Sequence, residues 1–168
     1  MREIVKLDLS WEVRHREFLK RGILEHPNSF RMTVADLLEG RVSFISERPD
    51  DFTLASLSEK GDLVGVVSFS RYRLEKMLHK GRIFGMYVAK EASGQGVGRE
   101  LLQACLKCAR QITNLSQVDL EYVASNDPAR RLYESEGFVA FSLEHDATKI
   151  EEVTQDEVRM ALKLRDLP

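Results

Sequence analysis

Long apolar runs and an excess of charge of either sign are missing from this chain. No stretch approaches the roughly 20 apolar residues that span a bilayer, and the first five residues, MREIV, lack the apolar core of a signal peptide. We therefore predict a cytoplasmic protein without a membrane partner. Because 25 basic residues face 27 acidic ones, with a formal net charge of -2, we expect no nucleic-acid partner either.

Proline is also scarce, with four residues, and glycine is at an ordinary level, with ten, which excludes collagen-like and low-complexity chains. A hydrophobic fraction of 43% beside 31% charged residues is typical of a globular protein. A chain of 168 residues is long enough for one compact core. Since we find no internal repeat and no linker, residues 1–168 are interpreted as a single domain.

The two cysteines, Cys105 and Cys108, form a C-x-x-C pair. Such a pair can be a redox motif or half of a zinc site, but no second pair and no clustered histidines follow it. The pair falls instead in a stripe at helical spacing that also contains Val97, Leu101 and Ile112. We predict that both cysteines are buried core residues and that the protein has no metal site.

The N-terminal third is predicted to contain one strand and two helices. The strand covers residues 3–7, and Ser10 is expected to cap the helix that follows. Thr33 and Asp36 have the spacing of a capping box, which predicts a second, short helix.

The remaining two thirds begin with an antiparallel meander of three extended runs, at residues 51–57, 63–72 and 82–89. Helices and strands then alternate. They are a helix that opens at residues 94–98, a strand at 118–123, a helix at 128–136, a strand from 138 onward and a last strand at 158–164.

A glycine turn follows the third run of the meander. Gly94, Gly96 and Gly98 can adopt positive φ and let backbone N–H groups approach a ligand, while the next helix points its positive end at the same place. This predicts a cradle for a diphosphate, and we expect Arg99 in the first helical turn to face a phosphate. The alternative is a glycine turn that only reverses the chain.

The spacing of this turn separates several nucleotide-binding folds. The Gly-Lys-Ser/Thr ending of a P-loop is absent, and Gly-x-Gly-x-Gly differs from the dinucleotide pattern Gly-x-Gly-x-x-Gly. Asp119 and Glu121 lie about 20 residues further on, where a dinucleotide-dependent oxidoreductase has its ribose-binding carboxylate. That alternative stays open, although the antiparallel meander argues against a doubly wound sheet.

Two segments carry a resemblance to a known family. Residues 93–98, SGQGVG, resemble the diphosphate-binding motif of the GNAT superfamily of N-acetyltransferases, Gln/Arg-x-x-Gly-x-Gly/Ala. Ser93 stands where the family usually has Arg or Gln. Residues 126–138, NDPARRLYESEGF, resemble the second GNAT signature, Asn-x-x-Ala-x-x-Leu-Tyr-x-x-x-Gly-Phe, at every fixed position. The resemblance covers residues 82–138.

The resemblance implies a fold and an activity. The fold is α+β (mixed α/β), with a central, mostly antiparallel mixed sheet of about seven strands flanked by about four helices. In the family the third meander strand carries a bulge and splays from its neighbour. The activity is transfer of an acetyl group from acetyl-CoA, as cosubstrate, to a primary amine of a small molecule, amino acid or peptide by direct attack. A homodimer is compatible with the family, and a non-catalytic acyl-CoA-binding module is the remaining alternative.

The resemblance also implies roles for single residues. Asn126 would bind the pantetheine arm, and Tyr133 would act as general acid, because a phenol of pKa about 10 can protonate a departing thiolate. Glu121 is the candidate general base, with Asp119 as a weaker substitute. The alternative is that Glu121 is an exposed strand carboxylate without a catalytic role. The N–H of Val88 is the expected oxyanion donor.

The complete set of predicted cosubstrate-binding residues comprises Met86, Tyr87, Val88, Ser93, Gly94, Gln95, Gly96, Val97, Gly98, Arg99 and Asn126. The acceptor is expected to contact the segment around His26, Asn28, Phe30 and Arg31, together with the connection at residues 73–81.

Overall fold

The computed structural model describes residues 2–164, which form one seven-stranded sheet with helices on both faces. The strands are β1 Glu3–Lys6, β2 Asp51–Leu57, β3 Leu63–Arg71, β4 Lys80–Val88, β5 Gln117–Val123, β6 Val139–Ile150 and β7 Val153–Lys163. The helices are α1 Glu12–Glu25, α2 Val34–Leu38, α3 Val97–Ala109 and α4 Asp127–Ser135.

The sheet is mixed and mostly antiparallel. Its strand order is β1-β2-β3-β4-β5-β7-β6, and within the described residues β4 and β5 are the only parallel neighbours. The antiparallel meander β2-β3-β4 is present as predicted. The structure therefore confirms the predicted α+β architecture. It contains no doubly wound parallel sheet in this region, which removes the basis of the oxidoreductase alternative.

Two hydrophobic cores lie on opposite faces of the sheet. One contains α3, β5 and the buried face of α4, and the other lies beneath α1 and α2. Because both faces are covered, every residue of β2 is buried. On β3, Gly65 lets α3 approach closely, since a Cβ there would lie 2.8 Å from Leu101 Cδ1 and 2.9 Å from Val97 Cγ1.

The start of the first helix differs from the prediction. Asp8, not Ser10, is the cap, and its carboxylate accepts a hydrogen bond from the Ser10 N–H at 2.9 Å. The cap opens a single 3₁₀ turn, Leu9–Trp11, which leads into α1. The predicted capping box is present, since Thr33 accepts from the Asp36 N–H and Asp36 accepts from the Thr33 N–H.

The prediction for the cysteines is correct for Cys105 and wrong for Cys108. Cys105 is fully buried, whereas Cys108 is exposed. The buried face of α3 is centred on Leu102, Cys105 and Ala109, so that Cys108 lies at its edge.

The last strand is longer than its apolar pattern indicated. It begins at Val153 rather than at residue 158, because its first residues pair with β6 in a hairpin whose register shifts between Glu144 and Thr148. None of the helices within residues 2–164 is long and apolar enough to cross a bilayer.

Candidate active site

A bulge interrupts the pairing of β4 with β3. Val66 lies opposite Tyr87 and Ser68 lies opposite Phe84, so that β4 has one residue more than β3 in this stretch. Gly85, in this stretch, has a φ of 58°, a value that favours glycine. This is the bulge that the family resemblance implies.

A gap opens beside the bulge because β4 and β5 part. The two strands pair only between residues 80–82 and 117–119, and beyond that point β5 pairs with β7 alone. The gap forms a cleft of about 790 Å³. Its lining comes from β4, the glycine turn, β5, α4 and the segment 26–32.

The glycine turn presents an uncapped helix end to this cleft. Gly96 is the N-cap of α3 in a left-handed conformation, φ 83°, and no side chain caps the helix. The first helical hydrogen bond is donated by the Glu100 N–H to the Gly96 carbonyl at 3.0 Å, which leaves the preceding N–H groups free of helical partners. Gly94 has a φ of 73°, and a Cβ there would meet nothing within 4 Å. This geometry fits a diphosphate.

Two predicted members of the cradle, Arg99 and Gln95, lie outside the cleft lining. The Arg99 guanidinium lies 3.2 Å from the Glu136 carboxylate, which supplies the negative charge that a phosphate was expected to supply. Gln95 donates to the Glu91 carbonyl at 2.8 Å. Neither residue therefore lines the cleft, and their part in binding the cosubstrate stays a prediction. Ser93, Gly94, Gly96, Val97 and Gly98 do line it.

On β4 the predicted residues Met86, Tyr87 and Val88 all line the cleft. The Tyr87 side chain, however, lies in the core beneath α1, and its hydroxyl donates to Glu25 at 2.7 Å. The Ala89 N–H donates to the Val64 carbonyl on β3 at 2.9 Å. Since successive N–H groups of a strand point to opposite edges, the Val88 N–H points away from β3, toward the gap.

Tyr133 projects from α4 into the cleft as predicted, beside β4. Its hydroxyl oxygen lies 3.8 Å from the Met86 sulfur, and the side chain is buried. Burial, with a smaller contribution from Tyr122, raises the pKa of Tyr133 to about 12. Asn126 lines the same wall and caps α4, because its side-chain oxygen accepts from the Ala129 N–H at 3.2 Å.

Glu121 also lines the cleft, and its side chain is 20% exposed. Asp119, the weaker candidate, does not line the cleft and accepts a hydrogen bond from the Gln117 side chain at 2.6 Å. Asp119 lies where β5 still pairs with β4, whereas Glu121 lies beyond the end of that pairing.

One lining residue, Glu157 on β7, was missed by sequence analysis. It is 3% exposed and bonded to Arg31. It lies just before the apolar stretch that indicated the last strand, and only the pairing with Val123 on β5 brings it to the cleft. Of the predicted acceptor region, segment 26–32 lines the cleft, whereas no residue of the connection 73–81 does.

With this geometry established, comparison with known proteins identifies the family. A sequence profile of the acetyltransferase (GNAT) family matches residues 16–138, well over half of the chain. The chain belongs to the GNAT family. This confirms the predicted family and enzyme class, since GNAT proteins are acyltransferases that use acetyl-CoA as the donor.

Three relatives illustrate the similarity. An N-alpha-acetyltransferase of Sulfurisphaera tokodaii is 33% identical over 85 residues, which cover 46% of this chain and 51% of that protein. The match thus spans about half the length of this curated relative. A GNAT acetyltransferase structure from Streptococcus pneumoniae has a TM-score of 0.83 at 20% identity, covering 97% of this chain and 99% of the other.

A third relative is an acetyltransferase from Salmonella typhimurium whose structure contains its cofactor acetyl-CoA. It has a TM-score of 0.81 at 19% identity, covering 100% of this chain and 96% of the other. Both structural matches show that the GNAT fold extends over nearly the whole chain.

Proposed function

We propose that this GNAT chain, as a single domain over residues 1–168, transfers the acetyl group of acetyl-CoA to a primary amine of a small molecule, amino acid or peptide by direct attack. The observation that carries the proposal is that one cleft brings together the uncapped start of α3, Tyr133 and Glu121. The start of α3 is the anion site, Tyr133 is the general acid and Glu121 is the general base.

Residues 93–98 would hold the diphosphate of acetyl-CoA. Backbone N–H groups at the start of α3 bind the phosphates, and the helix dipole favours their negative charge. The gap beside β4 has the shape to receive the extended pantetheine arm, with Met86 and Val88 on one side and Asn126 on the other. Bound acetyl-CoA supplies a thioester, whose carbonyl carbon is the target of an amine.

Tyr133 and Val88 act on the two atoms of the thioester that gain negative charge. The Val88 N–H, which points into the gap, donates a hydrogen bond to the carbonyl oxygen. Tyr133 gives its proton to the departing thiolate. The raised pKa of Tyr133, about 12, keeps the phenol protonated at neutral pH, so that the acid is in its active form before the reaction.

Glu121 takes the proton that the amine must lose before it attacks. An alkylammonium group is protonated at neutral pH and has no lone pair, so a carboxylate within reach of the acceptor is needed to remove it. Among the two strand carboxylates predicted for this role, Glu121 lines the cleft and Asp119 does not.

Among possible acceptors, the α-amino group of a peptide is favoured by the relative that is named as an N-alpha-acetyltransferase. In this chain the acceptor end of the cleft is formed by segment 26–32, including Asn28, Phe30 and Arg31. The cytoplasmic location and the homodimer stay predictions.

Release of the coenzyme A thiol in the presence of an amine panel tests this function. The panel contains free amino acids, their amides, short peptides with free N-termini and the same peptides with blocked N-termini. We expect thiol release with at least one unblocked amine and none with the blocked peptides. Calorimetric binding of coenzyme A without thiol release from any amine would instead favour the non-catalytic acyl-CoA-binding module.

A further inference from the structure

An ion pair between exposed Arg31 and buried Glu157 joins the acceptor segment to β7. The Arg31 Nε lies 2.9 Å and 2.6 Å from the two carboxylate oxygens of Glu157, and its Nη2 also contacts one of them. The Glu157 side chain is only 4% exposed, whereas that of Arg31 is 43% exposed. A carboxylate so deeply buried requires a charged, hydrogen-bonding partner, and Arg31 provides it in the geometry that a guanidinium favours.

The two partners come from opposite sides of the gap. Arg31 belongs to segment 26–32, which connects α1 with α2 and contributes most of its residues to the cleft lining. Glu157 lies opposite Val123 of β5 on β7, the strand at the other edge of β5 from β4. The pair therefore ties the segment that forms the acceptor end to the strands that carry Glu121.

Arg31 also approaches the candidate base. Its Nη1 lies 3.9 Å from the Glu121 carboxylate, beyond hydrogen-bonding distance. The Arg31 guanidinium thus faces two carboxylates: it donates hydrogen bonds to Glu157 and makes only a longer ionic contact with Glu121. At this distance the guanidinium attracts the Glu121 carboxylate without a hydrogen bond, which leaves its oxygens available to an incoming ammonium group.

We propose that Glu157 is a positioning residue, which through Arg31 fixes segment 26–32 and the orientation of Glu121 for the acceptor amine. This inference rests on the proposed function and deepens it, because it assigns acceptor binding to a buried carboxylate outside both GNAT sequence motifs. Glu157 does not itself take a proton from the substrate.

The test combines kinetics with amide hydrogen exchange in Glu157→Gln. We expect the acceptor KM to rise about tenfold or more while the KM for acetyl-CoA stays within about twofold. Exchange of the backbone amides of residues 26–32 should become at least about tenfold faster. Glu12→Gln is the matched control, since it removes the exposed ion pair with Arg16 and should change neither quantity.

Arg31→Lys provides a second variant that keeps the charge beside Glu157 but loses the forked contact. It should shift the acceptor KM in the same direction, and it replaces Glu157→Gln if that variant does not fold. Unchanged acceptor KM and unchanged exchange would overturn the proposal. An equal rise of both KM values with faster exchange along the whole chain would also overturn it, because that pattern reports a general loss of stability.

The exchange measurement separates this inference from the proposed function. If the wild-type protein turns over no amine, the proposed function fails. Faster exchange confined to residues 26–32 in Glu157→Gln would then still support the anchoring, and unchanged exchange would overturn it.

Discussion

The hydroxyl oxygen of Tyr133 lies 3.8 Å from the sulfur of Met86, where α4 meets the bulged part of β4. This contact joins the second GNAT signature to the strand that precedes the first one. It places a phenol in the gap that β4 leaves beside β5, at a site from which water is largely excluded. Burial holds the pKa of that phenol at about 12, so the phenol carries its proton at neutral pH.

Replacement of Tyr133 by phenylalanine removes this proton but keeps the ring. We expect kcat to fall about 10 to 1,000-fold with little change in coenzyme A affinity, because general acid catalysis typically contributes within this range. Steady-state thiol release and calorimetry measure the two quantities. Tyr72→Phe is the matched control, since Tyr72 does not line the cleft. An unchanged kcat in Tyr133→Phe would remove Tyr133 from the role of acid.

Alanine substitutions at two glycines with similar conformations distinguish the effect of backbone strain from the effect on ligand binding. Gly94 and Gly61 have φ values of 73° and 81°, and a Cβ at either would meet nothing within 4 Å. Gly94→Ala and Gly61→Ala should therefore each lower the free energy of unfolding by about 1 to 2 kcal/mol.

Only Gly94→Ala should also weaken coenzyme A binding, because only Gly94 lines the cleft. We expect at least a tenfold higher Kd by calorimetry, the result of a methyl group placed where a phosphate must approach the backbone. Equal coenzyme A affinities in the two variants would contradict the assignment of the glycine turn as the diphosphate site.

Glu121→Gln tests the candidate base. We expect turnover at pH 7 to fall by about 10² or more with unchanged acetyl-CoA affinity. Part of the loss should be recovered at pH 9 to 10, because more of the acceptor amine is then already deprotonated. Asp119→Asn is the control and should retain wild-type turnover. The reverse result, a loss in Asp119→Asn alone, would assign the base to Asp119.

His15 makes stability depend on pH. It is buried on α1 near the ring of Phe44, and within the described residues its Nε2 has no hydrogen-bond partner. Burial lowers its pKa to about 4, whereas in the unfolded chain a histidine has a pKa of about 6.5. Below pH 6.5 His15 binds a proton in the unfolded state but not in the folded state. Its contribution to stability is therefore full above pH 6.5 and is lost as the pH falls toward 4.

The resulting loss is expected to reach up to about 3 kcal/mol near pH 4. His15→Leu should flatten the free energy of unfolding between pH 6.5 and 4.5, as measured by urea titration at several pH values. A variant with the same pH slope as the wild-type protein would show that other groups cause the loss.

Several elements of the site were predictable because their causes are local. The capping box of Thr33 and Asp36 and the cap that Asn126 provides each join residues three apart, and the glycine turn that opens α3 is a run of adjacent residues. Arg99 was not predictable in this way. The carboxylate that neutralises it, Glu136, lies at the end of another helix, and sequence spacing does not show that these two helix ends meet.

The sequence by itself determined the order of strands and helices and the positions of Tyr133 and the glycine turn, because short-range hydrogen bonds, backbone conformation and periodicity specify them. The resemblance of two sequence motifs indicated the family. The family resemblance implied a bulge and a splay of β4, but only the tertiary structure located the bulge at Gly85 and the parting of β4 and β5 after residue 82, and only it showed that Glu157 meets Arg31. These features depend on the register between strands and on which side chains share a buried space, and both follow from the packing of segments that are distant in the chain.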